Sequence, residues 1–215
     1  MSSPASQQPQ AVSMLPLELN LIVAATRNMG IGRLGTLPWT GLRKEMAYFA
    51  RVTKRVEAGS ETSSLRNVVI MGRKTWDSIP QRFRPLRGRL NVVLSRSDAP
   101  SHPAAGATGG DGPLSVTSIA EALDRIRAEE NVGKLFVMGG AEIYNAVMEM
   151  EQAKRILMTR IITDFDCETF FPAMDQHVWH KKSKDELDEW TGEKVPEGIQ
   201  EENGVQYVFE MYERV

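Results

Sequence analysis

The stretch TLPWTGLRKEMAYFARVTKRV, residues 36–56, organises the rest of the chain because one helix in it combines an apolar face with an acid. Pro38 and the pair Thr40-Gly41 precede that helix. Apolar or small residues then recur at helical spacing, namely Leu42, Met46, Phe49, Thr53 and Val56. Glu45 shares their face, since it lies three residues after Leu42 and four before Phe49. The spacing predicts a helix from about Leu42 to Val56 that turns a carboxylate inward.

A carboxylate among apolar side chains has two interpretations, and the stretch alone leaves both open. In the first, Glu45 is partly exposed or is neutralised by a structural arginine, because acids are rarely buried unless they are paired. In the second, Glu45 lies at the bottom of a pocket and binds a ligand that carries adjacent N–H donors. Burial of the carboxyl group would raise its pKa in that case. The residues that the fold brings beside Glu45 decide between the two.

Composition excludes several classes of protein. The 215 residues include 26 basic and 28 acidic ones, a balance that argues against a general nucleic-acid or membrane-surface binder. The single cysteine, Cys167, excludes an internal disulfide and indicates a reducing compartment. The histidines match no zinc motif, so we expect no metal. No apolar run reaches the roughly 18–20 residues of a membrane span. Residues 1–15 carry no targeting signal, which predicts a disordered leader on a cytoplasmic protein.

Apolar runs that alternate with helical patterns set the expected fold. Strands are predicted near residues 17–25, 67–71, 90–94, 135–138, 156–161, 178 and 205–212. We expect one α/β domain over residues 16–215, with a central, mostly parallel eight-stranded sheet, helices on both faces and an antiparallel hairpin at its C-terminal end. Asn203-Gly204 marks the turn of that hairpin. The acidic segment 185–204 and the segments 57–66 and 97–114 read as loops, and Ser118 with Glu121 as a capping box.

The glycines that follow the first strand suggest, but do not complete, a dinucleotide-binding fingerprint. Gly30, Gly32 and Gly35 match the spacing G-x-G-x-x-G. That motif also requires a helix that opens within it, whereas here the helix begins only near Leu42. We therefore interpret the loop as a mobile flap over a ligand.

Two segments, residues 69–76 and 136–144, share the order buried strand, methionine, glycine, helix. Each would bring backbone N–H groups and a helix N-terminus to the carboxyl edge of the sheet, which suits an anion. Ordinary strand-to-helix turns are the alternative for either segment alone. Arg73, Lys74 and the pair Ser95-Arg96 add cationic and donor groups at strand ends. Together they favour an extended phosphorylated ligand, such as a dinucleotide with an extra phosphate.

Residues 81–89, QRFRPLRGR, contain four arginines. One interpretation is a solvated basic surface that binds RNA. The interleaved Phe83, Pro85 and Leu86, together with the balanced total charge, favour instead a local site for a small anion. Arg89, just before a strand, is placed to bind a carboxylate through two hydrogen bonds.

These segments together resemble dihydrofolate reductase of the fungal or animal type. The resemblance rests on residues 21–39, 42–49, 67–80, 84–96, 137–144, 159–161 and 164–172, and it extends from about Leu17 to the C-terminus. It implies a monomeric cytoplasmic enzyme of one-carbon metabolism that uses NADPH to reduce 7,8-dihydrofolate to tetrahydrofolate. It also implies that folate and antifolate inhibitors bind, without a metal. The rivals are an NADPH reductase of another heterocycle and a non-enzymatic RNA-binding module.

The resemblance also assigns roles to the residues around the substrate. Glu45 would bind the pterin ring, Trp39 would hold an ordered water near it, and Leu37 would complete the catalytic set. Arg89 would bind the α-carboxylate of the glutamate tail. The hydroxyl of Thr159 would form a hydrogen bond to the carboxylate of Glu45. The remaining substrate-binding residues implied are Ile22, Val23, Phe49, Ile79, Leu86, Met138 and Tyr144.

For the cofactor, the resemblance implies a grip on the 2′-phosphate by Arg73, Ser95 and Arg96, and a cis peptide between Gly139 and Gly140. A second cis bond is implied at Arg84-Pro85, and residues 28–37 would cover the nicotinamide. The full cofactor-binding set implied is Ala24, Ile31, Gly32, Gly35, Thr36, Gly72, Arg73, Lys74, Thr75, Ser78, Leu94, Ser95, Arg96, Gly139, Gly140, Ala141, Glu142 and Ile143.

Overall fold

A computed structural model describes residues 17–56, 65–96 and 112–215. The strands in these ranges are β1 (Leu19–Thr26), β2 (Gly30–Gly32), β3 (Arg66–Gly72), β4 (Arg89–Leu94), β5 (Leu114–Val116), β6 (Val132–Val137), β7 (Ala153–Ile161), β8 (Thr169–Phe170), β9 (Trp179–Lys181), β10 (Gln200–Glu202) and β11 (Val205–Arg214). The helices are α1 (Arg43–Lys54), α2 (Arg73–Ser78), α3 (Ile119–Arg127), α4 (Ala141–Met148) and α5 (Lys184–Thr191), and Gln81–Phe83 form a 3₁₀ turn. The predicted leader and most of segments 57–66 and 97–114 lie outside the described residues.

The central sheet has the strand order β10-β11-β7-β1-β6-β3-β4-β5. Neighbours from β7 to β5 run parallel, whereas β11 is antiparallel to both β7 and β10. The predicted eight-stranded, mostly parallel sheet with a C-terminal antiparallel hairpin is thereby confirmed. Within the described ranges, β9 adds a short further strand beside β11, and β2 pairs with β8 in a separate ribbon.

Helices cover both faces of the sheet, as the continuous apolar strands predicted. Side chains of α3 and α4 pack with alternate residues of β1 in one apolar cluster, which includes Leu123, Val147 and Leu21. Side chains of α1, α2 and α5 pack against the opposite face in a second cluster, which includes Val52, Trp76 and Leu187. None of the described helices is long and apolar enough to span a membrane.

The parallel strands bring several chain segments to one edge of the sheet. Because β1, β3, β4 and β6 run in the same direction, their carboxyl ends lie side by side. Gly72 follows β3 into α2, Ser95 follows β4, and Gly139-Gly140 follow β6 into α4. The backbone N–H of Gly72 donates to the carbonyl oxygen of Gly139 at 2.8 Å, so two of these turns touch. This edge is where the sequence predicted a phosphorylated ligand.

The predicted start of α1 is confirmed to within one residue, but the helix ends at Lys54, two residues before the predicted end, and its buried face differs in part from the predicted one. Glu45, Tyr48, Val52 and Thr53 are the buried residues within the helix, whereas the side chain of Met46 is 52% exposed. Of the predicted stripe, Leu42, Phe49 and Thr53 pack inward, whereas Met46 and Val56 are exposed, so spacing alone identified the buried face only in part. Glu45 and Thr53 belong to the buried face in either case.

The acidic segment 185–204 is not a loop throughout, because residues 184–191 form α5. Ser183 and Glu186 make a full capping box at its start, and Gly192 ends it in the left-handed conformation at φ 68°. The predicted box at Ser118 is only half formed. Its hydroxyl accepts from the N–H of Glu121, but the Glu121 carboxylate accepts from Thr117.

Candidate active site

Glu45 lies on the first turn of α1, with its side chain directed at the sheet and only 7% exposed. The hydroxyl of Thr159, on β7, donates to Glu45 Oε1 at 2.9 Å. No lysine or arginine within the described residues forms an ion pair with Glu45. The interpretation that it is exposed or neutralised by a structural arginine is therefore wrong for this part of the chain.

Burial raises the pKa of the Glu45 carboxyl from 4.5 to about 7. Desolvation is the main cause, because the interior stabilises the neutral acid over the carboxylate. The hydrogen bond from Thr159 acts in the opposite direction, and the negative charge of Glu202 raises the pKa further. Glu45 is thus a buried acid with a strongly raised pKa, a perturbation that is common at functional sites.

Apolar side chains lie on the same face of the sheet as Glu45. One cluster holds five of the predicted substrate-binding residues, namely Ile22, Phe49, Ile79, Leu86 and Met138. Val23 packs in the cluster on the opposite face, because successive side chains of a strand alternate. The prediction that its side chain forms a wall around Glu45 is therefore wrong. Tyr144 also lies on that opposite face, and its hydroxyl donates to the backbone oxygen of Ile22 at 2.7 Å.

Arg89 lies at the other end of the α1 face that carries Glu45. Its guanidinium donates to the hydroxyl of Thr53 at 2.8 Å and lies 5.8 Å from the ring centroid of Phe49. Burial lowers the pKa of Arg89 to about 10. No carboxylate within the described residues pairs with this buried cation, although 15 ion pairs form elsewhere in those ranges. Such a site suits an anionic ligand, since an unpaired buried charge is unfavourable.

The residues just before α1 combine buried and exposed groups. The indole of Trp39 is 4% exposed and contacts the ring of Phe165 edge-on at 5.6 Å between centroids. Its buried Nε1–H has no acceptor within the described residues, so it can donate to a ligand or a water. Leu37 is 46% exposed. Ala24 packs beside Trp39 from the end of β1.

The glycine pair after β6 leaves little room for a side chain at its first member, Gly139, where φ is 123°. Gly139 and Gly140 are joined by a cis peptide bond, as the resemblance implied, and Arg84-Pro85 is cis as well. A Cβ on Gly139 would lie 3.1 Å from the hydroxyl of Thr75, and one on Gly140 would lie 3.4 Å from it. The same pair precedes α4, so it presents backbone at a helix N-terminus. The three residues that follow it, Ala141, Glu142 and Ile143, form the first turn.

The predicted cationic residues lie at the same edge, in exposed ion pairs. Arg73, at the start of α2, donates to Asp77 at 2.9 Å, and Arg96, after β4, lies 3.2 Å from Glu142. Exposed pairs of this kind contribute little and exchange readily for another anion. The remaining predicted cofactor residues of this edge are Gly72, Lys74, Ser78, Leu94 and Ser95, all within or next to α2 and β4.

The glycine-rich loop is tied to the segment around β8. Glu168 accepts from the N–H of Leu34 at 2.7 Å, and Asp166 pairs with Arg33 at 3.0 Å. Arg33 and Thr36 exchange two backbone hydrogen bonds across a tight turn, where Gly35 has φ 74°. Gly32 and Ile31 lie in β2. No helix opens in this loop, which confirms that the glycine spacing is not a Rossmann fingerprint.

The arginine-rich segment 81–89 is only partly a solvent-exposed basic surface. Arg89 is buried, and Arg84 lies 3.4 Å from Asp77 and over the ring of Trp76. Arg82 and Arg87 remain exposed. Two solvated arginines are too few for the extended basic patch that the RNA-binding interpretation requires.

The sequence reasoning missed Glu202, whose carboxylate reaches the first turn of α1 from β10. An indirect signal was present, because α1 begins after Leu42, a residue that offers no capping oxygen. No group of three or more histidine, cysteine, aspartate or glutamate side chains that could hold a metal is found in the described ranges.

Comparison with known proteins gives one consistent result. A family model described as dihydrofolate reductase matches residues 18–214. The dihydrofolate reductase of Pneumocystis carinii is 41% identical over 207 residues, covering 91% of this chain and 96% of that protein. That of Gallus gallus is 41% identical over 198 residues, covering 91% and 96%. Among solved structures, Schistosoma mansoni dihydrofolate reductase matches with a TM-score of 0.73 at 33% identity, covering 92% of this chain and 98% of that one.

Proposed function

The chain belongs to the dihydrofolate reductase family and is an oxidoreductase that reduces dihydrofolate, and we propose that it does so with NADPH. When bound, NADPH supplies a hydride to C6 of 7,8-dihydrofolate while N5 takes a proton from water, which yields 5,6,7,8-tetrahydrofolate. The proposal includes a monomeric, cytoplasmic enzyme of one-carbon metabolism whose substrate site also accepts folate and antifolate inhibitors.

The observation that carries the substrate assignment is the arrangement of groups along α1. Glu45, Phe49 and Thr53 are spaced by four residues, so they form one stripe, and Arg89 binds at its Thr53 end. At 1.5 Å of rise per residue, the eight residues from Glu45 to Thr53 span about 12 Å. An acid at one end and a buried guanidinium at the other complement a ligand with N–H donors on a flat ring and a carboxylate on its tail.

We assign the binding of the ring to Glu45. Its carboxylate would accept hydrogen bonds from the ring amino group and from N3–H, each worth roughly 1.5–3 kcal/mol for a charged acceptor. Thr159 fixes the orientation of the carboxyl group through its hydroxyl. The indole N–H of Trp39 would hold a water beside the ring. No side chain need touch N5, so the protein contributes alignment and a site from which bulk water is excluded.

The cofactor assignment is supported by the shape and donors of the sheet edge. Gly139 has φ 123° and Thr75 lies close to it, so the backbone there carries no side chain and allows close approach of a ligand. Arg96 and Arg73 lie at neighbouring strand ends, with a charge that suits the 2′-phosphate that distinguishes NADPH from NADH. Residues 28–37 would cover the nicotinamide and exclude water from the hydride-transfer site.

The direct test is whether NADPH absorbance at 340 nm falls when dihydrofolate is added to the purified protein. We expect turnover with dihydrofolate, little turnover with NADH, and loss of turnover in Glu45→Gln at neutral pH with normal NADPH binding. Full activity in Glu45→Gln would contradict the assigned role. No turnover by the wild-type protein with dihydrofolate, together with turnover of another heterocycle, would favour a different NADPH reductase.

A further inference from the structure

The first turn of α1 is completed by a carboxylate from a distant strand. Leu42, at the N-cap position, makes no side-chain hydrogen bond, so the first N–H groups of the helix lack a local acceptor. Glu202 on β10 accepts from the N–H of Lys44 at 2.8 Å and from that of Glu45 at 3.2 Å. The two other helices with side-chain caps, α3 and α5, use local serines. Among the described helices, α1 alone takes its cap from across the fold.

The hairpin that carries Glu202 forms a second hydrogen bond to the residues that precede α1. The side-chain amide of Asn203 donates to the carbonyl oxygen of Gly41 at 2.8 Å. Gly41 has φ 78°, and a Cβ there would lie 2.3 Å from Asn203 Nδ2. Tyr207, on β11, donates its hydroxyl to Glu202 Oε1 at 2.5 Å. Glu202 is therefore held in place by its own hairpin while it contacts the helix.

Glu45 occupies the helix position at which an acid ordinarily caps its own helix. It is the third residue of α1, as Glu121 is of α3 and Glu186 is of α5. Glu121 and Glu186 both turn back to accept N–H groups at the start of their helices. Glu45 instead extends toward Thr159. Glu202 accepts from the backbone N–H groups of Lys44 and of Glu45 itself, so it holds the part of the helix backbone from which the Glu45 side chain extends.

We propose that Glu202 is a positioning residue of the reduction site: by accepting from the N–H groups of Lys44 and Glu45, it fixes the first turn of α1 and so keeps the Glu45 carboxyl directed at the ligand. The proposal rests on the function proposed above, because it concerns how the ring-binding acid is held. Without Glu202, the N–H groups of Lys44 and Glu45 would lack their acceptor, and the first turn of α1 would fray. The acid would then leave Thr159 and turn toward solvent.

The charged and titratable groups around Glu45 make this change measurable. Glu202 from β10 raises the pKa of Glu45, and the hydroxyl of Thr159 from β7 lowers it. The pKa values of Tyr48 on α1 and of Tyr207 on β11 are raised mainly by burial, and the charge of Glu45 raises both further. Because burial is the largest cause of the raised Glu45 pKa, exposure of this carboxyl to solvent would lower its pKa more than loss of the Thr159 hydrogen bond would raise it. A Glu45 carboxyl that becomes exposed should titrate toward its ordinary value of 4.5 instead of at about 7. Removal of the Glu202 charge alone also lowers the pKa, so the effect of position is the further drop in Glu202→Ala beyond that in Glu202→Gln, which removes the same charge.

The test compares Glu202→Ala, Glu202→Gln and the control Glu201→Gln in the full chain. Glu201 is the exposed neighbour of Glu202 on the same strand, so its replacement removes an equal charge without touching α1. Carboxyl carbon NMR of the ligand-free protein, with the Glu45 signal assigned through Glu45→Gln, reports the Glu45 pKa directly. NADPH binding serves as the check that each variant is folded.

We expect Glu202→Ala to lower the Glu45 pKa from about 7 toward 4.5 and to reduce kcat/KM for dihydrofolate about tenfold at neutral pH, with unchanged NADPH affinity. Glu202→Gln, which keeps one acceptor, should fall between Glu202→Ala and the wild type, and Glu201→Gln should match the wild type. The pH at which kcat/KM changes should move down together with the NMR value.

A Glu202→Ala protein that binds NADPH and retains a Glu45 pKa near 7, or whose Glu45 pKa equals that of Glu202→Gln, would overturn the proposal. A loss of activity equal at every pH, with no movement of the profile, would also contradict it, because destabilisation alone reduces only the amount of active protein. If the wild-type protein does not reduce dihydrofolate, the proposed function fails, yet the NMR titration still decides whether Glu202 directs Glu45.

Discussion

Replacing Glu45 with glutamine should stabilise the ligand-free protein at pH 8 while it removes the proposed activity. The carboxyl has a pKa of about 7 in the fold against 4.5 for an ordinary glutamate. The unfolded chain therefore gains from ionisation between these values, and the free energy of unfolding falls as the pH rises from 4.5 to 7. At about 1.4 kcal/mol per pKa unit, the full effect above pH 7 is on the order of 3 kcal/mol. Glutamine does not ionise, and its oxygen still accepts from Thr159.

Urea unfolding of the wild type and of Glu45→Gln at pH 4.5 and pH 8 measures this difference. We expect the two proteins to be nearly equal at pH 4.5, where Glu45 is protonated in the folded wild type and only about half ionised in the unfolded chain, and the variant to be more stable at pH 8 by about 3 kcal/mol. Glu201→Gln, which removes an exposed carboxylate, should follow the wild type at both pH values. A variant no more stable than the wild type at pH 8, or equally stabilised at both, would refute the reasoning from burial.

Three further substitutions test the other assigned groups. Arg89→Leu should mainly raise KM for dihydrofolate in steady-state assays, while the exposed control Arg87→Leu should not; an unchanged KM would remove Arg89 from the site. Loss of Arg96, as in Arg96→Leu, should weaken NADPH binding by about 1.5–3 kcal/mol, or about ten- to a hundredfold, with little change for NADH. Equal losses for both cofactors would contradict the assignment to the 2′-phosphate. Thr159→Val removes the hydrogen bond that lowers the Glu45 pKa, so Glu45 should titrate above 7 by carboxyl NMR, and a lower value would count against that contact.

The sequence predicted best those features that local pattern determines. The start of α1, the strands with continuous apolar runs and the hairpin at Asn203-Gly204 all follow from spacing and turn chemistry over a few residues. Asn203 and Gly204 adopt the positive φ values, 50° and 75°, that such a turn requires. The parallel sheet then follows because buried strands separated by helices have few other arrangements.

Features that depend on contacts between distant segments were predicted less well. Met46 and Val56 were expected inside, yet they are exposed, because the partner surface of α1 determines which stripe is covered. The helix α5 was missed because its acidic residues suggested a loop, although Ser183, Glu186 and Gly192 carried the start and stop signals. The contact between Glu202 and Lys44 joins residues 158 positions apart, which no local pattern reveals. The roles at the site came from the resemblance, whereas the burial of Glu45 came from the residues themselves.

Because α1 is capped by Glu202, the first turn of this helix cannot be completed until Glu202 has been synthesised. A ribosome that adds about 5–20 residues per second needs roughly 8 to 30 seconds to travel from Lys44 to Glu202. Throughout that interval the helix that bears Glu45 lacks the acceptor for its first N–H groups. A newly translated molecule therefore acquires its chemistry late, at the moment when the final hairpin folds back onto a segment that emerged near the start.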